Sequence, residues 1–131
     1  MSTFTVSLLA SDRSEVVADV ASFTGEDGSG SFGILARHER FMTALTFGLA
    51  RLTFADGSRE YLALPGGLLY FVGGGLRIST RRYLRDRDVE RITRMLTRDL
   101  LEEERALQAT RRKLHRLEAE MLRSLARLRI E

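Results

Sequence analysis

The chain has 131 residues, 44% of them hydrophobic, so it can bury one real core, and disorder of the whole chain is excluded. The absence of cysteine rules out a disulfide scaffold, a thiol nucleophile and a Cys-ligated zinc, and no apolar run nears the roughly 18–20 residues that cross a bilayer. The net charge of +3 is unevenly placed: residues 1–80 carry 6 Arg against 8 acids (−2), and residues 81–131 carry 14 Arg and 1 Lys against 10 acids (+5). A basic second half implies an acidic partner, whether nucleic acid, membrane surface or protein.

The first residues, Met1-Ser2-Thr3-Phe4-Thr5-Val6, have neither a basic region nor a long apolar stretch. They read as the start of a strand and not as a targeting peptide, which makes the cytoplasm the default compartment. Phe4, Val6 and Leu8 alternate with Thr5 and Ser7 at a period of two, and Val16, Val17, Ala18 and Val20 give a second β-branched run. Next comes Gly28-Ser29-Gly30-Ser31-Phe32-Gly33, which matches G-x-G-x-x-G. A dinucleotide site needs that motif to open a crossover helix, and Ile34-Leu35-Ala36-Arg37-His38 continues in strand-like sequence instead. A glycine-rich β-turn is the better account. The runs Leu49–Phe54 and Tyr61–Leu64 flank Asp56-Gly57, and Leu68–Val72 and Leu76–Thr80 flank Gly73-Gly74-Gly75, giving two hairpins. Short strands closely punctuated by turns predict an antiparallel sandwich or barrel.

All 11 glycines and the single proline precede Leu76, and the remainder of the chain is helical in pattern. Asp86 reads as the N-cap, with Asp88 and Glu90 in the first turn. Val89, Ile92, Met95, Leu96, Leu100 and Leu101 form one apolar set, and Leu107, Leu114, Leu117, Met121, Leu125 and Leu128 form another. Glu102-Glu103-Glu104-Arg105 separates them, which fits one long helix or two helices folded as a hairpin. The hairpin is favoured, because a narrow stripe on a lone helix needs a partner.

Catalytic signatures do not emerge. The two histidines, His38 and His115, have no convergent partners at metal or proton-transfer spacing, and no nucleophile elbow, carboxylate pair or phosphate-binding lysine loop is present. The expectation is a non-enzyme without cofactor or metal. The basic helices raise an alternative, a nucleic-acid or acidic-protein binding module. Against nucleic acid, Tyr83 is the last aromatic residue, and Glu102, Glu103, Glu104, Glu118 and Glu120 are interleaved with the bases.

The stretch Gly30 to His38 resembles the G-E-x-G-I-L-P-G-H-A-P pattern of ATP synthase epsilon subunits through Gly30, Gly33, Ile34, Leu35 and His38. Ala36, Arg37 and Arg40 stand where that family has proline, glycine and proline. Leu64-Pro65-Gly66-Gly67-Leu68-Leu69 is similar to its second landmark, with Pro65 replacing a serine. The departures, with Ser79-Thr80-Arg81-Arg82-Tyr83-Leu84, are similar to the variant N-type ATPase branch.

The resemblance implies an α+β chain by segment: a β-sandwich of about ten strands over 1–84, then a two-helix region over 85–131. It implies a rotor subunit on the cytoplasmic face of the bacterial inner membrane, docked on the gamma subunit and the c-ring and touching the membrane through the complex alone. Gly28, Ser29, Gly30, Ser31, Phe32 and His38 would lie at the c-ring and gamma contacts. In the family the helices pack on the sandwich or extend along gamma, and the extended form suppresses ATP hydrolysis. Arg111, Arg112, Lys113, Arg116, Arg123 and Arg127 would then meet an acidic segment of the beta subunit, with the alpha and beta subunits as conditional partners. Some members bind ATP through a motif like [I/L]-D-x-x-R-A. Asp88 and Arg91 keep its polar positions but the flanking residues are lost, so weak or no ATP binding is expected.

Overall fold

The computed structural model describes residues 2–130, and these form nine strands followed by helix. The strands are β1 (Phe4–Leu9), β2 (Ser14–Asp27), β3 (Gly30–Leu35), β4 (Phe41–Leu45), β5 (Gly48–Phe54), β6 (Arg59–Leu64), β7 (Gly67–Val72), β8 (Gly75–Ser79) and β9 (Leu84–Asp86). Helix α1 (Val89–Met95), a π-helical segment (Leu96–Leu100) and α2 (Leu101–Ile130) complete the chain.

Alternation decides which face of each strand is buried. Phe4, Val6 and Leu8 of β1 point inward with Val17 and Val20 of β2, Leu52 of β5, Leu62 of β6, Leu69 and Phe71 of β7, and Leu76 and Ile78 of β8. The strands run in the order β1-β8-β7-β4-β2-β5-β6-β9, with β3 also on β2 and β1 pairing β2. β2 serves both layers. Its register slips by a residue against β1 between Phe4 and Val6 and against β5 between Val20 and Ser22. Asp19 there takes φ +61, in the left-handed region, and its carbonyl accepts from the Ala55 amide at 3.0 Å. The bulge bends the 14-residue strand so that its two halves join different layers. Pairing is antiparallel throughout except for β1 with β8, which is parallel.

A second, smaller core joins helix to sandwich. Ile92, Leu96 and Leu100 close over Ala63, Leu49, Phe47, Tyr61 and Leu84. Two expectations shift here. Asp86 ends β9, opposite Tyr61, and the N-cap is Asp88, whose Oδ1 accepts from the Glu90 amide (3.0 Å) and the Arg91 amide (3.2 Å). The Glu102–Arg105 stretch holds no turn, and Met95, Leu96 and Leu101 all keep right-handed helical dihedrals. The two apolar sets therefore lie along one continuous helical path, the extended member of the two arrangements that the sequence allows. Glu and Arg are good helix formers, and no glycine or proline breaks the run.

Candidate functional site

No metal-holding cluster of His, Cys, Asp or Glu occurs among the described residues. The features that can meet partners are a hairpin loop, an outer sheet face and a projecting helix.

Gly28 and Ser29 form the two-residue turn between β2 and β3, with Asp27 opposite Gly30 and Gly30 at φ +123. Asp27 organises the turn: Oδ1 accepts from the Ser29 amide (2.9 Å) and hydroxyl (2.5 Å), and Oδ2 accepts from the Thr43 hydroxyl (2.7 Å). These donors hold the Asp27 carboxyl below the usual carboxylate range, the Ser29 hydroxyl contributing most. The glycine motif is thus a rigid exposed hairpin and not a phosphate-binding loop.

His38 lies beyond the other end of β3. Its ring meets Phe41 at 5.4 Å and Phe71 at 6.1 Å between centroids, both edge-on. Phe32 touches Phe41 (5.4 Å) and Phe23 (6.1 Å), so an aromatic chain runs from core Phe23 to exposed His38. Six candidate residues therefore split into a tip (Gly28, Ser29, Gly30, Ser31) and an aromatic pair (Phe32, His38) bridged by Phe41. At about 3.3 Å per residue, β3 runs about 16 Å from Gly30 to Leu35, and His38 follows in the turn closed by its amide on the Leu35 carbonyl at 2.9 Å.

Sequence reasoning missed the face formed by β4 and β7. Phe41, Thr43 and Leu45 turn inward, leaving Met42 and Ala44 exposed; Leu69 and Phe71 are buried, leaving Leu68, Tyr70 and Val72 outside. The register sets Met42 against Tyr70 and Ala44 against Leu68, so the five side chains are contiguous. Met42 is 68% and Leu68 60% exposed. Exposed apolar patches of this kind mark interaction sites. The available signal is that Leu68-Leu69-Tyr70-Phe71-Val72 is apolar on both faces in an antiparallel sheet.

Asp88 and Arg91, the positions kept from the nucleotide motif, are both engaged within the chain. Asp88 caps α1, while Arg91 makes a two-pronged pair with Asp86 (Nε to Oδ2 2.6 Å, Nη2 to Oδ1 2.7 Å). That pair, led by the Arg91 hydrogen bonds, holds the Asp86 carboxyl far below its ordinary range.

Along α2 every residue from Thr110 to Leu128 is exposed. At 3.6 residues per turn, Leu114, Leu117, Met121, Leu125 and Leu128 share an arc of roughly 80°. Arg112, Arg116, Arg123 and Arg127 share an arc of roughly 60° on the opposite side, while Arg111 and Lys113 flank the apolar stripe. The six basic candidates are thus a four-arginine face and two flanking charges. His115, on the same exposed stretch, has Glu118 3.9 Å away.

Residues 3–86 match the family described as ATP synthase, Delta/Epsilon chain, beta-sandwich domain. The chain is 32% identical over 109 residues to an ATP synthase epsilon chain 2 of Cereibacter sphaeroides, covering 82% of this chain and 75% of that one. It is 34% identical over 93 residues to an ATP synthase epsilon chain of an Anaeromyxobacter species, covering 69% of each. Among solved structures it resembles a chain of the Euglena gracilis mitochondrial ATP synthase with TM-score 0.61 and 23% identity, covering 81% of this chain and 66% of that one. A chain of the Tetrahymena thermophila mitochondrial ATP synthase central stalk and c-ring is similar with TM-score 0.53 and 13% identity, covering 64% and 69%. At such identities the structural likeness speaks for the fold.

Proposed function

The chain belongs to the epsilon-chain family of F-type ATP synthases and is a non-catalytic subunit, and from that premise we propose that it serves in the rotor, anchored by its sandwich to gamma and to the c-ring. The observation that carries this is the uncovered apolar face of Met42, Ala44, Leu68, Tyr70 and Val72. A rotor element must transmit torque, and a stiff sandwich held by a broad apolar contact suits that task better than a mobile linker. We assign this face to gamma, and the polar Gly28–Ser31 tip, with Phe32 and His38 behind it, to the c-ring and the gamma contacts near it. The chain then acts as two units, a sandwich over 1–84 and a regulatory helix beyond, and sits at the cytoplasmic face of the membrane as a peripheral part of the complex. Among the described residues no helix is long and apolar enough to cross a membrane.

Regulation falls to α2, which in its extended arrangement offers the Arg112, Arg116, Arg123 and Arg127 face to an acidic surface of the catalytic subunits and restrains hydrolysis. ATP binding at Asp88 and Arg91 is weak or absent, because both side chains already have intramolecular partners. Isothermal calorimetry giving micromolar affinity for ATP would overturn that last point.

The anchoring is tested by co-purifying gamma and the c-ring with wild-type chain and with Met42→Glu/Leu68→Glu. Both substitutions are on the exposed face, so unfolding stability should move by no more than about 0.5 kcal/mol each. Association should be lost. A variant that folds and still binds gamma at wild-type yield sinks the assignment of this face.

A further inference from the structure

Beyond Leu100 the helix meets the sandwich through charge. The guanidinium of Arg81 lies 3.2 Å from Oε2 of Glu104, and Arg82 pairs with Glu103. We propose that these four side chains form an electrostatic latch that fixes the direction of α2, with the π-helical segment as its pivot.

Three observations converge on this. First, the basic half has a firm base. Arg81 and Arg82 lie between β8 and β9, where the Ser11 hydroxyl donates to the Arg81 carbonyl at 2.6 Å. The Thr80 hydroxyl donates to the carbonyls of Gly66 (2.6 Å) and Arg82 (3.2 Å). Second, the acidic half lies in the first turn of α2, directly after the π-helical segment, where the Leu101 amide bonds to the Leu96 carbonyl across one extra residue. Helices bend at such widened turns. Third, a crevice of about 480 Å³ opens beside the latch, lined by Ser11, Asp12, Arg81, Arg82, Ala106 and Leu107 along with Glu103. It gives the helix room to lean, and Asp12 offers the arginines an alternative carboxylate.

The latch is built to be weak. Its four side chains keep 23–43% of their exposure, so water and salt reach the charges. Leverage makes a weak latch matter. From Leu100, the end of the pivot, to Leu128 is about 42 Å of helix, so a pivot of about 20° carries the tip about 15 Å. The Glu102–Glu104 run, which from sequence merely interrupts an apolar stripe, thus acquires a partner in Arg81-Arg82. The consequence for rotation rests on the rotor reading, whereas the latch is a property of the free chain.

The chain has no cysteine, so nitroxide labels can be introduced at Arg77→Cys on the sandwich and Ser124→Cys on α2, and their separation measured by pulsed electron resonance on the full-length chain. Wild type at low salt should give one narrow distance distribution that broadens at about 0.5 M salt, where screening is strong. R81E/R82E and E103R/E104R should each be broad at low salt with unchanged helical circular dichroism. The fourfold swap should restore the narrow distribution. A distribution that stays narrow in both reversals, or a swap that stays broad, overturns the latch. None of these readings involves other subunits, so a failed latch leaves the rotor reading standing, and a failed gamma association leaves the latch result intact.

Discussion

Glu60 is the charged side chain that the described residues bury, 7% exposed, and its carboxylate is answered by Arg85 Nε at 2.5 Å and Arg87 Nε at 3.5 Å. Arg85 also reaches Glu15 at 3.0 Å, and Glu15 in turn accepts from the buried Tyr83 hydroxyl at 2.6 Å. A network of this kind joins the start of β2 to β6, β9 and the helix entry, and it ties stability to pH. Burial and the Glu15 hydrogen bond push the Tyr83 phenol up to about 12. The Tyr83 hydrogen bond, aided by Arg85 and Arg13, lowers Glu15, and Arg91 lowers Asp86. For the two carboxylates the sign is that of a depressed group: their contribution is full above the unfolded values near 4 and disappears as pH falls through the lower folded values. For Tyr83 it is the reverse, full below about 10 and lost as pH rises through about 12. Asp86→Asn should therefore unfold in urea at a lower midpoint than wild type at pH 7, and the two midpoints should converge as pH is taken below 3. A gap independent of pH would show that Asp86 acts through packing and not through its charge.

At the scale of elements, α1 and the π-helical segment belong to the sandwich energetically and α2 does not. Ile92 and Leu100 are fully buried against Ala63, and removing either side chain to Ala would cost about 2–5 kcal/mol. A chain ending at Leu101 should keep the cooperative unfolding of the whole protein. One ending at Leu84 loses most of β9 and uncovers Ala63, Leu49 and Tyr61, and it should show a markedly lower midpoint in thermal circular dichroism. Equal midpoints would mean that the second core contributes nothing. The same contrast explains what the sequence disclosed. Long strands announced themselves, because the alternation of Phe4, Val6 and Leu8 and the turns at Asp56-Gly57 and Gly73–Gly75 are local signals. β9 was silent, because Leu84-Arg85-Asp86 is too short and too polar to alternate, and it pairs with β6 only through tertiary context. The cap assignment to Asp86 failed for a related reason: two aspartates stand two residues apart, and the strand claimed the first. The outer face of β4 and β7 left one trace, the apolar run Leu68–Val72, and that run does not by itself say which of its two faces the core covers.

For the whole molecule the separation of charge and of contact runs the same way. Residues 1–80, which supply nearly all of the larger core, are slightly acidic, and the half that ends in the projecting helix carries the excess arginine. A helix with an apolar stripe on one side and Arg112, Arg116, Arg123 and Arg127 on the other presents two chemically distinct surfaces, and the proposed regulation uses the charged one. A single exposed pair contributes about 0.5 kcal/mol, and four acting together contribute about 2 kcal/mol, roughly a thirtyfold shift between docked and free states. A switch operates on that scale, since a much stronger contact would hold one state permanently. Replacing the four arginines with glutamine should leave assembly with gamma intact, because the face proposed to anchor the chain lies on β4 and β7, and should raise ATP hydrolysis by the assembled complex several-fold. Removing α2 after Leu101 should raise it at least as far. Substituting Arg111 and Lys113 alone, which flank the apolar stripe, should change hydrolysis much less. If the four-arginine variant assembles and hydrolyses at the wild-type rate while the truncated chain is released from inhibition, the restraint comes from the stripe of Leu114, Leu117, Met121, Leu125 and Leu128 and not from charge. If neither change alters hydrolysis, the helix is not inhibitory, and the rotor assignment stands on the sandwich alone.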